Sequence, residues 1–295
     1  MKIDLHIHCK NCSDGRMTLQ EIFEEANQRH IGFISITDHD SVDCQESAKE
    51  LADQYGIHYL FGLELNVSFA HPEYRNSKPV SLDFLAYQYD VHYPPLKQKL
   101  AALREYRNKR AEQILEKINL ELIKENLEEF TDKDLQEIRN SVDGAFGRPH
   151  IANYMVKKGI VHGKQEAFDK YLVKCNVPKM PLPLSEASGL VRGAGGKLML
   201  AHPNDPNGTS LVSFTPSLDE QQKIIKEHML PYIDGIECWH PRHYRNTIES
   251  YLAFARETGL MVTGGSDCHQ QPVIMGKLDI PPYVAKQFGL DLEGK

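Results

Sequence analysis

Apolar and polar positions alternate from the first residues, with Ile3, Leu5 and Ile7 set against Asp4, His6 and His8. That period of two predicts a strand with both imidazoles on one face, about 7 Å apart. The period then lengthens: Leu19, Ile22, Phe23 and Ala26 mark the buried stripe of a helix from about Thr18 to His30, and Thr18 with Glu21 has capping-box spacing. Phe33 to Ile36 predicts a short buried strand ending at Thr37-Asp38-His39-Asp40, followed by a helix through Tyr55. Tyr59 to Leu65 predicts a third strand carrying Glu64, and Val80 to Ala86 a fourth with Asp83 inside it. This alternation predicts an α/β fold with a parallel sheet or barrel, polar residues collecting at the C-terminal ends of its strands.

The pattern changes at Pro94-Pro95, where a long, highly charged helix begins and runs from Leu96 to about Asn126. Further helices follow, one capped by Thr131, one opening at Pro149 and one near Gln165 to Leu172. No strand is predicted before Lys197, so 95–190 reads as a helical insertion closed by the Pro-rich stretch Pro178–Pro183. It divides a barrel into a first part, 1–94, and a second, 191–295. Strands at Lys197 to Ala201, Asp234 to Cys238 and Leu260 to Thr263 then alternate with helices from Ser217 to about Leu230 and up to Thr258.

Composition narrows the function. A formal charge of −7 argues against a broad nucleic-acid-binding surface, though bound divalent ions would locally reverse the sign for a small phosphorylated substrate. The longest apolar runs are strand-sized, with no membrane span or export segment predicted, which favours the cytoplasm. Six cysteines include the C-x-x-C pair Cys9 and Cys12, but no second pair completes a zinc knuckle, so reduced, unpaired thiols are expected.

The fourteen histidines are more telling. His6, His8, Asp14, His39, Glu64, Asp83, His202, Asp267 and His269 end predicted strands or lie on their edges. Imidazole and carboxylate donors suit Zn²⁺, Mn²⁺ or Fe²⁺, and their number exceeds one ion's needs. A carboxylate such as Glu64 can bridge two ions about 3.5–4 Å apart.

Asp4-Leu5-His6-Ile7-His8, Ser13-Asp14-Gly15, Thr37-Asp38-His39-Asp40, Gly62-Leu63-Glu64, Ala201-His202-Pro203 and Ser266-Asp267-Cys268-His269 together resemble the polymerase-and-histidinol-phosphatase (PHP) family. The resemblance implies a distorted (β/α)7 barrel with two or three divalent ions at the strands' C-terminal ends, Mn²⁺ first and Zn²⁺ or Fe²⁺ as alternatives. It also implies that His6, His8, Glu64 and Asp267 hold one ion and that Glu64 and His202 contribute to a second. Asp14, His39 and His269 would hold a third ion or contact the substrate phosphate. His39 or His269 could protonate the leaving group. Many relatives carry a histidine ligand where Asp83-Phe84-Leu85-Ala86-Tyr87 stands here, so Asp83 is the expected replacement and His71 its rival.

In the insertion, Arg104, Arg107 and Arg110 follow one another at intervals of three on one helix side, and Arg148 and His150 open another helix. Guanidinium groups bind phosphate in bidentate fashion, and helix N-termini attract anions. Such an insertion resembles a stand-alone PHP branch that includes nucleoside 3′,5′-bisphosphate phosphatases and 5′–3′ oligonucleotide nucleases, where these arginines would grip a phosphate that is not cleaved. His240 and His243, at another strand end, are candidate pocket residues. The expected activity is hydrolysis of a phosphomonoester, by metal-activated water, in a nucleoside bisphosphate or a short 5′-phosphorylated oligonucleotide. A phosphatase for another small phosphoester such as histidinol phosphate, or a non-catalytic metal-binding PHP module, is the alternative.

Overall fold

The computed structural model describes residues 1–140, 147–269 and 273–291. The first strand, β1 (Lys2–Ile7), is followed by α1 (Leu19–Gln28), β2 (Ile31–Ile36) and α2 (Gln45–Tyr55). Thr18 caps α1 with the reciprocal bonds its spacing predicts: its hydroxyl accepts from the Glu21 N–H, and Glu21 reaches back to the Thr18 N–H. Leu19, Ile22, Phe23 and Ala26 are all buried, packed with Ile7, Ile34 and Ile36 of the neighbouring strands.

The expected third strand is two strands. Residues β3 (His58–Tyr59) and β4 (Gly62–Phe69) are separated at Leu60-Phe61, where the chain leaves one sheet for another. One sheet is parallel, in the order β1–β2–β3. The other holds β4, β5 (Val80–Tyr87), β6 (Lys197–Leu200), β7 (Gly235–Trp239) and β8 (Met261–Gly264), in that order.

An all-parallel arrangement is corrected here, because β5 runs antiparallel to both β4 and β6. Residues 70–79 connect β4 to β5 with only one short 3₁₀ turn, and a parallel neighbour would need a crossover of a dozen or more residues. The two sheets are joined by single parallel bridges, Ile7 with Cys268 and His39 with Glu64. Among the described residues the strands thus form two sheets, and the expected closed (β/α)7 barrel is not found.

Those bridges bring the ends of β1, β2 and β8 and the start of β4 to one rim. Two glycines permit the approach. A Cβ on Gly265 would lie 2.3 Å from the His6 backbone nitrogen, and one on Gly15 would lie 2.1 Å from the His8 carbonyl oxygen. Buried Asp4 fastens the rim from behind, its two oxygens each accepting a 2.8 Å bond, from the Ser266 and Gly276 N–H groups. Burial nevertheless pushes its carboxyl up to about 6.

The chain divides into two compact units, one of residues 1–97 with 181–295 and one of 98–180. Helix α3 (Pro94–Lys124) contributes most of its length to the second unit. The same unit contains α4 (Asp132–Asn140), α5 (Arg148–Lys157) and α6 (Lys164–Ala167), around a core including Ile114, Ile118, Leu122, Ile138, Ile151, Met155 and Leu172. Thr131 precedes α4 with its hydroxyl and N–H both bonded to Asp134. The second unit ends earlier than residue 190, because α7 (Leu184–Gly193) packs on β4 and β6 of the first. The remaining helices, α8 (Leu218–His228), α9 (Arg245–Thr258) and α10 (Tyr283–Lys286), also belong to the first unit. No described helix is long and apolar enough to cross a membrane.

Candidate metal centre

On β1 the alternation does what its period requires: His6 and His8 are fully buried on the same face. His6 Nδ1 lies 3.0 Å from Glu237 Oε1, which as a carboxylate can only accept, so Nδ1 carries a proton, and Nε2 presents a lone pair once the ring is neutral. That Nε2 is 3.1 Å from His8 Nε2, 3.5 Å from Glu64 Oε2 and 3.4 Å from Asp267 Oδ1. His8 Nε2 in turn is 3.2 Å from Glu64 Oε2 and 3.4 Å from Asp267 Oδ1. Tetrahedral ligands about 2.0–2.2 Å from an ion stand about 3.3–3.6 Å from each other. Five separations among the four donor atoms fall on or close to that range. Glu64 Oε2 also lacks any properly aligned hydrogen-bond donor despite its burial. The donor set fits a divalent ion.

Glu64 reaches a second group as well, since its other oxygen, Oε1, is 3.2 Å from His202 Nε2. One carboxylate thus faces two sets of donors, the arrangement of a bridging ligand. A third group is more open: Asp14 Oδ1 is 3.2 Å from His269 Nε2 and 3.9 Å from both His39 Nε2 and His8 Nδ1. His39 Nδ1 lies 3.0 Å from Glu64 Oε2. The loops hold two of these donor residues in the left-handed region, His202 at φ 25° and Asp267 at φ 50°. Non-glycine residues adopt such angles where surrounding structure imposes them, often at functional sites.

The protonation states follow from this crowding. Burial alone would push the imidazoles down, but the carboxylates overcome it. Glu237, Glu64 and Asp267 hold His6 well above the usual histidine range. Glu64 with Asp14 and Asp83 raises His39 to about 10, Glu64 with Glu237 and Asp267 raises His202 to about 9, and Asp14 with Asp267 raises His269 to about 11. Reciprocally, Asp14, Glu64, Asp267 and Glu237 are held below the ordinary carboxylate range by the histidines, against the effect of burial. Positive charge is needed here, and either protons or divalent ions can supply it.

The rim brings together His6, His8, Asp14, His39, Glu64, His202, Asp267 and His269. Asp83 is in none of these groups, though Glu64, His39 and His202 lie close enough to act on its charge. It faces Asn66 across β4 and β5 and accepts its side-chain N–H at 2.6 Å, while burial and Glu64 push its carboxyl up to about 6. His71 does not replace it: its ring packs against Tyr74, Phe214 and His228, and its Nδ1 accepts from the Glu73 N–H.

His240 reaches the rim itself, with Nε2 3.4 Å from Asp267 Oδ2. His243 is occupied elsewhere; its Nδ1 donates to the Cys238 carbonyl, its Nε2 accepts from the Asn204 N–H, and burial pushes it down to about 4. Glu237 escaped the sequence reading. Its signal was a carboxylate in the otherwise uncharged run Gly235–Trp239, which a fully buried strand does not carry without a partner. Its second oxygen accepts from the His202 N–H, so it positions two donors at once. The expectation of unpaired cysteines is also corrected, since Cys12 and Cys44 are disulfide-bonded where the β1–α1 and β2–α2 loops converge.

In the second unit, Arg104 and Arg107 lie on α3, and Arg110 is buried there, donating to the Val177 carbonyl and Asn176 Oδ1. Burial, together with the charges of Arg148 and Arg107, pushes the Arg110 guanidinium down, which marks the three as near neighbours. Arg148, the first residue of α5, lies over the Phe168 ring. His150 Nδ1 accepts from the Gly147 N–H and so caps that helix.

Residues 4–174 match the PHP domain. The chain is 26% identical over 272 residues to the 5′-3′ exoribonuclease Rnm of Escherichia coli, covering 90% of this chain and 85% of that protein. It is 27% identical over 280 residues to the 3′,5′-nucleoside bisphosphate phosphatase of Chromobacterium violaceum, covering 90% and 87%. A solved structure from Bifidobacterium adolescentis, described provisionally as a metal-dependent phosphoesterase, superposes with a TM-score of 0.74 at 27% identity, covering 99% and 98%.

Proposed function

We propose, from the premise that this chain belongs to the PHP domain family and is a metal-dependent phosphoesterase, that it hydrolyses a phosphomonoester of a small phosphorylated nucleotide. The substrate is a nucleoside 3′,5′-bisphosphate or a short 5′-phosphorylated oligonucleotide, a reading supported by the similarity to a nucleoside bisphosphate phosphatase and a 5′-3′ exoribonuclease. One observation carries the chemistry: four donor atoms at tetrahedral spacing, one of them belonging to a carboxylate whose other oxygen faces His202. His6, His8, Glu64 and Asp267 would hold one divalent ion, Glu64 and His202 would contribute to a second, and Asp14, His39 and His269 would hold a third or meet the phosphate. Mn²⁺ is the ion of choice, with Zn²⁺ or Fe²⁺ as substitutes. Bound ions supply Lewis acidity and an activated water.

The chain's own residues do the rest. Glu237 keeps the His6 proton on Nδ1 and steadies the His202 backbone, so that Nε2 faces the ion. His39 and His269, the more accessible imidazoles of the rim, are the groups to deliver a proton to the leaving oxygen. Arg107 and Arg148 bind the substrate phosphate that is not cleaved, with Arg110 positioning them and Arg104 lending charge. Support for that assignment comes from the clustering of like charges, which favours an anion among them.

The reading is tested by incubating Mn²⁺-loaded protein with adenosine 3′,5′-bisphosphate and with a short 5′-phosphorylated RNA, while metal content is measured. Release of inorganic phosphate from either substrate is expected. Release from neither, with the ions bound, overturns the substrate assignment.

A further inference from the structure

Beside the ion-binding groups lies a cluster that the hydrolytic chemistry does not use. Cys9, Cys12, Cys44 and Asp38 bring sulfur and carboxylate atoms within 4.8 Å of one another. Cys12 and Cys44, 32 positions apart in sequence, form a disulfide across a Cα separation of 6.1 Å. Cys9 remains a thiol and donates to Asp38 Oδ2 at 2.9 Å, while its N–H donates to Asp38 Oδ1 at 2.8 Å.

The cross-link joins two particular loops. Residues 8–18 connect β1 to α1 and bear Asp14; residues 37–44 connect β2 to α2 and bear His39. Cys12 is followed directly by Ser13, whose hydroxyl accepts from the His39 N–H at 3.0 Å and donates to Asp14 Oδ1 at 3.1 Å. Cys44 is the residue from which α2 starts. The disulfide therefore closes the two segments that hold Asp14 and His39 opposite each other. Of the donors clustered there, Asp14 is the most open, with its side chain 40% exposed against 26% for His39 and 28% for His269. A ligand on an open loop owes its place to whatever restrains that loop, and a covalent cross-link restrains it beyond what the Ser13–His39 and Cys9–Asp38 hydrogen bonds do. A bond between Cys9 and Cys12 would lie within one loop and would not join the two.

We propose that Cys12–Cys44 is a reversible thiol–disulfide site that controls ion binding at Asp14, His39 and His269. In the disulfide form the two loops are held at ligand spacing; in the dithiol form they separate and this group binds its ion more weakly. Two molecules of a low-molecular-weight thiol supply two electrons and two protons, leaving thiols at Cys12 and Cys44 and one disulfide in the reductant. The reverse exchange consumes a small-molecule disulfide. Attack falls on the half-buried Cys12 sulfur in preference to the buried Cys44. The coupling to ions rests on the metal-dependent reading above, whereas the thiol exchange does not.

The test uses the full chain, isolated in air and divided into samples with and without dithiothreitol. Each is alkylated and peptide-mapped, and each is titrated with Mn²⁺ by equilibrium dialysis. The Cys12 and Cys44 peptides should be linked before reduction and separate after it. Reduction should weaken one class of Mn²⁺ site by about tenfold or more while leaving the others, an effect of the size seen when supporting residues around metal ligands are lost. The C12S/C44S double variant should titrate like the reduced protein and ignore the reductant. Ready alkylation of both cysteines without reductant, or identical Mn²⁺ titrations in the two forms, overturns the proposal. So does uptake of one extra Zn²⁺ on reduction that Cys9→Ser abolishes, for then the cluster is a thiolate metal site. If no Mn²⁺ binds in either form, both the control and the metal reading fail, while the peptide map still reports on the cross-link.

Discussion

The rim of the first unit and the arginine cluster of the second are both concentrations of charge, and they are built in opposite ways. On the rim, carboxylates and imidazoles from β1, β4, β7 and the loops after β2, β6 and β8 are mostly buried, and each sign compensates the other. In the second unit Arg107, Arg110 and Arg148 share one sign, and Arg110 is held by neutral oxygens of Asn176 and Val177. The first arrangement balances its charges internally and suits small cations; the second concentrates one sign and suits an anion. Damage to the rim should therefore abolish chemistry for every substrate, and damage to the arginines should discriminate between substrates.

The largest effect is expected at Glu64, which faces two donor groups with its two oxygens. Glu64→Ala should lower kcat by about 10³-fold or more on all phosphoesters, since one substitution weakens two ions at once. Steady-state kinetics with metal analysis on the same sample decides it, and a loss confined to one substrate would place Glu64 outside the ion shells. Next comes Glu237→Gln, which keeps shape but removes the charge that holds the proton on His6 Nδ1. Metal affinity should fall about 10–100-fold with the fold intact, and unchanged affinity in a Mn²⁺ titration would reduce Glu237 to a packing role.

The pH dependence of the chelator-treated protein separates the two regions further. His39, His202 and His269 bind protons more tightly when folded, at about 10, about 9 and about 11 against 6.5 when unfolded. Their contribution to stability is complete below pH 6.5 and is lost as pH rises through those values. Melting temperature should thus fall over that alkaline window without ions, while Mn²⁺ affinity rises as the imidazoles lose protons. A metal-free protein equally stable at pH 7 and pH 10 would contradict the pairing described for the rim.

The smallest and most selective effect belongs to Arg148→Ala. KM for adenosine 3′,5′-bisphosphate should rise about tenfold, the value of one charge-assisted phosphate contact, with little change for an aryl phosphate that has no second phosphate. Equal changes on both substrates would remove Arg148 from substrate recognition.

Much of the rim was legible in the chain because its residues obey a local rule. A period of two puts His6 and His8 on one face whatever the strand's neighbours are, and Ser13-Asp14, Thr37-Asp38-His39 and Ser266-Asp267-Cys268-His269 sit just beyond strands that hydrophobicity marks. Asp83 was expected as a ligand because it stands where many relatives carry a histidine; the fold sets it beside Glu64 and His39, and the antiparallel pairing of β4 with β5 adds an Asn66 donor. His243 looked available because it follows a strand, yet Cys238 and Asn204 use both its nitrogens.

By itself the sequence determined which segments are strand or helix, which faces are apolar and which residues could bind ions, for these depend on residue chemistry and on spacing within a few positions. Only the tertiary structure decided the split into two sheets, the tautomer that Glu237 imposes on His6, and the union of Cys12 with Cys44. The disulfide joins residues 32 positions apart, and the His6–Glu237 pair residues 231 apart. Their meeting is set by how whole elements pack, and no local pattern of residues encodes it.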